Sequence, residues 1–201
     1  MSILIDGSSR VVVQGITGRE AAGFTRECLD YGTRVVAGVT PGKGGAEVYG
    51  VPVFDAVADA VEATGADVAL LSVPPTLALD AMLEAIEAGM PLLVVITERI
   101  PQRDVATALE AARRAGARVV GPNSLGVITP GAAKIGSIGG PAADVARAYQ
   151  PGTIGIASRS GGMTTELASL LTHAGIGQST CVRVGGDPLI GTTLLDAYRL
   201  F

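Results

Sequence analysis

The chain has 201 residues, a formal charge of −4 with no run of like charges, and is 48% hydrophobic but only 3% aromatic, with no Trp. This charge pattern gives no footprint for nucleic acid, and no apolar run approaches the ~20 residues that a membrane-spanning helix needs. The core must be built from Val, Ile, Leu and Ala, and the length suits one large domain, or one domain and part of another. The two cysteines, Cys28 and Cys181, fit neither a metal spacing nor a disulfide framework. They are expected to be reduced and buried in a cytoplasmic protein. The opening residues Ser2 to Asp6 are too short and uncharged for a signal peptide.

In chain order, short apolar runs alternate with Ala- and Glu-rich stretches. Val11-Val12-Val13 predicts a strand ended by Gly15, followed by a helix from about Arg19 to Tyr31. Val35 to Val39 predicts the second strand, and Val51-Pro52-Val53 a short third segment before a helix over Ala56–Ala63. Val68 to Val73 is the next strand, ended by Pro74-Pro75, with a helix over Leu77–Ala88 stopped by Gly89. Leu92 to Ile96, a helix over Asp104–Ala115 and the strand Arg118 to Gly121 complete the pattern. A second series begins at Thr153 to Ala157, with a helix over Met163–Ala174, a strand over Ser179–Val184 and a helix from about Thr192.

Continuous β-branched runs indicate strands buried on both faces, and their alternation with helices indicates βαβ units and a parallel sheet. The expected fold is α/β: a Rossmann-like domain over 1–128, a Gly-, Pro- and Ala-rich linker over 129–152, and an incomplete flavodoxin-like second α/β domain over 153–201. About two βα units are too few for an independent core. The chain stops within the helix-like stretch Thr192–Phe201 and is expected to be C-terminally short.

In an open α/β sheet, ligands bind beyond the C-terminal strand ends. The first such turn, Gln14-Gly15-Ile16-Thr17-Gly18-Arg19-Glu20, offers permissive backbone and a helix N-terminus to a phosphate, or else is a plain tight turn. A dinucleotide site wants Asp or Glu after the second strand. This chain has Thr40-Pro41-Gly42-Lys43-Gly44-Gly45, whose lysine suits a ribose phosphate or is simply solvated. Ser72-Val73-Pro74-Pro75 and Ile96-Thr97-Glu98 open onto the same crevice, with Glu98 either a ligand acceptor or a first-turn acid. Asn123, in Gly121-Pro122-Asn123-Ser124, completes an Asx-turn. Ser158-Arg159-Ser160-Gly161-Gly162 joins a strand to a helix as an anion cradle or an ordinary N-cap. Asp187, in Gly185-Gly186-Asp187-Pro188, reads as a structural turn residue. His173, the only histidine, lies near a helix C-terminus and complements its dipole.

Read together, these loops resemble the succinyl-CoA synthetase α-subunit family. The resemblance rests on Met1-Ser2-Ile3-Leu4-Ile5-Asp6, Gln14 to Gly18, Gly38 to Gly45, Val51 to Phe54, Ile96-Thr97-Glu98, Gly121-Pro122-Asn123, Ser158 to Gly161 and Gly185 to Pro188. It implies a coenzyme A site contacted by Thr17, Gly18, Arg19, Glu20, Lys43, Ile96, Thr97 and Glu98. It also implies a phosphate or acid site at Ser158, Ser160, Gly161, Gly162 and Thr165. The implied reaction joins a carboxylic acid to CoA through an acyl phosphate and a phosphohistidine. ATP or GTP with Mg would be held by a β subunit with a nucleotide-grasp domain. The chain departs from the family in three respects. It has no Gly-His-Ala-Gly loop, Thr165 stands where a Tyr is usual, and Ser160 to Thr164 is nearer the matching stretch of ATP-citrate lyase. Ser124-Leu125 also replaces the usual Cys-Pro.

Three functions compete on this reading. They are an acid–CoA ligase α subunit (for succinate, citrate, malate or another acid), a short CoA-binding paralogue without phosphoryl transfer, and an NAD-dependent oxidoreductase. The missing acid after the second strand argues against the last. No catalytic residue and no metal ligand is expected in this chain, which alone should lack ligase activity.

Overall fold

Valines 11–13 form the centre of β1 (Arg10–Gln14), whose residues are almost wholly buried. On one side of it lie β2 (Arg34–Val39), β4 (Val51–Phe54) and β3 (Glu47–Val48), and on the other β5 (Val68–Leu71), β6 (Leu92–Val95) and β7 (Arg118–Val120). The seven-stranded order is β3-β4-β2-β1-β5-β6-β7. Every pairing is parallel except the hairpin of β3 with β4, which the sequence pattern did not reveal because β3 is only two residues long. The chain therefore leaves β1 in one direction and returns to β5 in the other. This is the strand reversal that opens a ligand crevice in doubly wound sheets. The computed structural model describes residues 2–201, so Met1, the start of the N-terminal stretch quoted above, lies outside the described residues.

The two faces of this sheet are covered differently. Val12, Ala69, Leu71, Leu93 and Val95 point to one face, where α2 (Val57–Thr64), α3 (Ala78–Glu87) and α4 (Gln102–Ala115) close a core around Met82, Met90 and Val105. Val11, Val13, Leu70 and Val94 point to the other. Of the helices in the same half of the chain, only α1 (Arg19–Asp30) covers them, through Ala21 and Cys28, helped by Ile5 and Ile16. The C-terminal half adds Val127, Ala133, Ile135, Val182, Val184 and Ala197 to that cover.

That half contains β8 (Gly126–Thr129), β9 (Ala133–Ile135), α5 (Ala142–Ala148), β10 (Pro151–Ser158), α6 (Gly161–His173), β11 (Gln178–Arg183) and α7 (Leu194–Leu200). Its sheet runs β10-β11-β8-β9, with β10 and β11 parallel and the other pairs antiparallel. The linker expected over 129–152 is thus a correction. Thr129 ends a strand, Pro130-Gly131 turns a hairpin into β9, and α5 follows. Strands of four and three residues are too short to show a period, and their glycines are turn residues. The expected 1–128 boundary shifts as well. β8 belongs to the second sheet, and the N-terminal stretch is tied to that sheet by side chains: the Ile3 amide donates to Thr180 Oγ1 (3.0 Å) and Thr129 Oγ1 donates to the Ile5 carbonyl (2.8 Å). With four strands, this half has a small cluster of its own around Ile128, Ile138, Tyr149 and Ile156. Among the described residues, no helix is long and apolar enough to cross a membrane.

One polar contact lies within this junction. Lys134, on β9, is 0% exposed, and its Nζ sits 2.6 Å from Glu27 Oε2 on α1. Thr33 and Lys134 exchange a further pair of hydrogen bonds. Removing one partner of such a pair leaves an uncompensated buried charge, which costs about 3–5 kcal/mol, whereas replacing both by apolar groups is far milder. Glu27→Ala should therefore lower the unfolding free energy by about 3 kcal/mol in urea titration. Glu27→Leu combined with Lys134→Met should recover most of that loss.

Candidate functional site

The turn Gln14–Glu20 leaves β1 at the strand reversal. The Gly15 amide donates to the Val39 carbonyl (2.8 Å) and the Gly18 amide to the Gly15 carbonyl (2.8 Å), which coils the turn tightly. Gly15 has φ +81, and a Cβ there would stand 2.5 Å from the Ser72 carbonyl oxygen, so only glycine brings this turn against the β5 loop. Helix α1 begins at once, with Gly18 as an N-cap that has no side chain to satisfy the first-turn amides. An uncapped helix N-terminus on exposed backbone favours an anion both by N–H groups and by dipole.

Two clefts run from this turn in opposite directions. The first, of about 550 Å³, is lined by Gly18, Arg19, Glu20, Ile96, Thr97 and Glu98 together with the Ser72–Pro75 loop. Its far wall is Asn123, Ser124, Leu125 and Ser137, beside the second sheet. The second, of about 570 Å³, is lined by Gln14, Gly15, Thr17 and Gly18, then by Val39, Thr40 and Pro41, and by Leu77, Asp80, Ala81 and Glu84. Gly18, Ser72, Val73 and Pro74 line both, so the clefts adjoin at the α1 N-terminus.

The structure therefore gathers Thr17, Gly18, Arg19, Glu20, Ile96, Thr97 and Glu98 around one site. Thr97 is nearly buried and acts as a brace. Its hydroxyl donates to the Val73 carbonyl (2.8 Å) and accepts from the Val73 amide (3.2 Å), and its own carbonyl accepts from the Asn123 amide (2.9 Å). Glu98 is exposed and paired at 3.5 Å with exposed Arg99, a contact of little energetic value. Lys43 is exposed on the loop beyond Thr40 and lines neither cleft. Of the far wall, Asn123 and Ser124 were expected only as a turn and Leu125 and Ser137 not at the site at all, and Gln14 was expected only as the start of the phosphate turn. For Gln14 the available signal was a polar residue directly after an unbroken valine run.

The residues Ser158 to Thr165 lie outside both clefts. Ser160 is the α6 N-cap, its Oγ accepting from the Met163 amide, and its own amide donates to Ser158 Oγ (3.0 Å). A Cβ on Gly161 would collide with Leu125, so this glycine serves close packing against the wall of the first cleft. Gly162 is open, and the Thr165 hydroxyl is bonded to Tyr149 Oη at 2.9 Å. The neighbouring loops are tied together: Arg159 donates to the Gly186 and Asp187 carbonyls, Arg183 to Asn123, and Asn123 Nδ2 to Asp187 Oδ1 (2.8 Å). Burial holds the Arg183 guanidinium below its ordinary pKa. His173 is at the exposed C-terminus of α6, and its Nδ1 bonds to the Ser169 carbonyl (2.7 Å).

This fold and cleft define an α/β protein with a Rossmann-like coenzyme-binding half. The family described as "CoA binding domain" matches residues 6–99. The chain is 49% identical over 203 positions to the α subunit of the ADP-forming succinate–CoA ligase of Aquifex aeolicus, covering 100% of this chain and 65% of that protein. It is 45% identical to the second such α subunit of Archaeoglobus fulgidus, covering 100% of this chain and 68% of that one. Among solved structures, ATP citrate lyase from Methanothrix soehngenii in complex with citrate and coenzyme A superposes with a TM-score of 0.86 at 25% identity, over 97% of this chain and 34% of that one. A dinucleotide-forming acetyl-coenzyme A synthetase of Ca. Korarchaeum cryptofilum, at 22% identity and TM-score 0.67, shares the fold. The chain belongs to the succinate–CoA ligase α-subunit family and spans about two thirds of the length of these relatives.

Neither cysteine is a candidate nucleophile. Burial pushes the Cys28 thiol up to about 11, against the opposing charge of Lys134, and pushes Cys181 up to about 12. At pH 8 the folded chain should resist iodoacetamide at both positions, while urea-unfolded chain should take up two equivalents, as read by intact mass.

Proposed function

We propose that this chain binds coenzyme A across the two adjoining clefts and provides the CoA-binding part of an acid–CoA ligase α subunit. The observation that carries this reading is the uncapped α1 N-terminus on the Gly15–Gly18 turn, where the clefts meet. The coenzyme's pyrophosphate sits against the first-turn amides of Arg19 and Glu20. Its adenosine lies in the second cleft, whose mouth at Thr40 and Pro41 leads to Lys43 and the ribose phosphate. Its pantetheine arm follows Ile96, Thr97 and Glu98 along the first cleft toward Ser124, Leu125 and Ser137, beside the second sheet. The thiol is thereby delivered toward the start of α6. There the Ser158 and Ser160 hydroxyls and the first-turn amides of Gly161 and Gly162 face an acyl phosphate or phosphate, and Thr165 stands near the acid.

In this reading a β subunit with a nucleotide-grasp domain supplies ATP or GTP with Mg, and the assembled enzyme joins a carboxylic acid to CoA in the cytoplasm. The chain's own residues bind and orient the coenzyme. His173 carries no phosphoryl group: at 1.5 Å per residue it lies about 18 Å along α6 from Gly161, at the end whose partial negative charge repels phosphate.

Two measurements test this reading. Lys43→Ala should weaken CoA about tenfold in calorimetry while leaving dephospho-CoA nearly unchanged, since a charge-assisted bond to the ribose phosphate is lost. Equal losses for both ligands would remove Lys43 from the site, and tight NADH binding without CoA binding would sink the reading. The chain should also form no acyl-CoA when mixed with ATP or GTP, Mg, CoA and a panel of acids. Thioester formed by the chain alone, or labelled phosphate retained on His173, would show the proposed division of labour to be wrong.

A further inference from the structure

Gln14 ends β1 and lines the second cleft, yet it is 2% exposed. Its Nε2 donates to the Ala81 carbonyl (2.9 Å) and to Glu84 Oε2 (3.3 Å). Glu84 is itself held, because its Oε1 accepts the Val57 amide (2.8 Å) at the start of α2. Turning the Gln14 amide over would set its oxygen against two acceptors, so its orientation is determined by Ala81 and Glu84. The consequence is an orphan. Gln14 Oε1 is the one buried side-chain N or O atom among the described residues that has no hydrogen-bond partner. A buried acceptor without a donor is costly, and one in the wall of a ligand cleft calls for a donor from the ligand.

The walls around it say what kind of ligand group that is. Val39, Pro41, Val73, Pro74 and Leu77 are apolar and suit the faces of a flat heterocycle. The only N–H donor on the base of coenzyme A is the exocyclic amine of adenine. We propose that Gln14 Oε1 accepts that amine, so that this chain selects a 6-aminopurine coenzyme and rejects its 6-oxopurine counterpart. An oxo group there would place acceptor against acceptor and leave the buried oxygen unpaired, the situation in which polar sites discriminate most strongly. Glu84 is a positioning residue in this scheme, clamping the amide so that its oxygen faces the base.

This inference rests on the adenosine lying in the second cleft, and the experiment separates the two ideas. The 201-residue chain is titrated by calorimetry with CoA and with deamino-CoA, in which hypoxanthine replaces adenine. The wild-type chain should bind CoA about tenfold to a hundredfold more tightly, the range expected when one buried hydrogen bond is replaced by an unpaired acceptor. Gln14→Met, whose folding is checked by circular dichroism, should weaken CoA, spare deamino-CoA and abolish the preference. Glu84→Gln should reduce the preference in part by loosening the clamp. Equal affinities for the two coenzymes in the wild type would overturn the assignment while leaving the CoA site standing, and they need no variant to be seen. Full discrimination retained in Gln14→Met would also overturn it. If neither coenzyme binds the wild-type chain, the CoA reading falls and this inference with it.

Discussion

The structure depends on how the second face of the seven-stranded sheet is kept from water. Three helices close the first face, but α1 alone cannot cover Val11, Val13, Leu70 and Val94. Apolar surface of that extent is stable only when buried. The chain buries it under the second sheet and α7, so that Val127, Ile135, Val182 and Ala197 share one core with β1. The two halves are thus not independent units joined by a tether. The ion pair of Lys134 with Glu27 and the reciprocal bonds of Thr33 with Lys134 set polar partners in register across the same seam.

The position of the clefts follows from that packing. A strand reversal between β1 and β5 produces a crevice in any doubly wound sheet. Here the crevice has a far wall only because β8 docks alongside, bringing Ser124 and Leu125 to face Ile96 and Thr97. The Ser124 hydroxyl donates to the Arg183 carbonyl and accepts from the Gly126 amide, which pins that wall to the second sheet. Thr97 joins the loops after β5 and β6 to Asn123. The clefts are therefore braced from both halves of the chain, which holds their walls in a fixed geometry.

The loop from Ser158 to Gly162 has structural duties that are compatible with the anion site proposed there. Ser160 is an ordinary N-cap, and Gly161 is small because Leu125 presses against it. Both are structural duties, and both set the start of α6 against the end of the first cleft. An N-cap residue and an anion site are compatible, because a capping side chain satisfies only one of the four free first-turn amides.

Much of this was legible in the sequence. Unbroken runs such as Val11–Val13 and Leu92–Val95 announced strands buried on both faces, and Gly89 marked the end of α3. The residues of the first turn and of Ile96–Glu98 could be placed at one crevice because strand ends in a parallel sheet share an edge. Local pattern could not show that 129–152 holds strand and helix, since the strands flanking Pro130-Gly131 are too short to display a period and one pairs with β11, distant in sequence. Nor could it show that Lys134 is buried, that Asn123 and Ser137 wall a cleft, or that Gln14 ends with an unpaired oxygen. Those facts depend on which groups meet across the fold, and meetings between residues far apart in the chain are decided by tertiary packing. The sequence by itself determined the longer strands and helices, their order along the chain and the crevice at their strand ends. Only the tertiary structure decided what closes it.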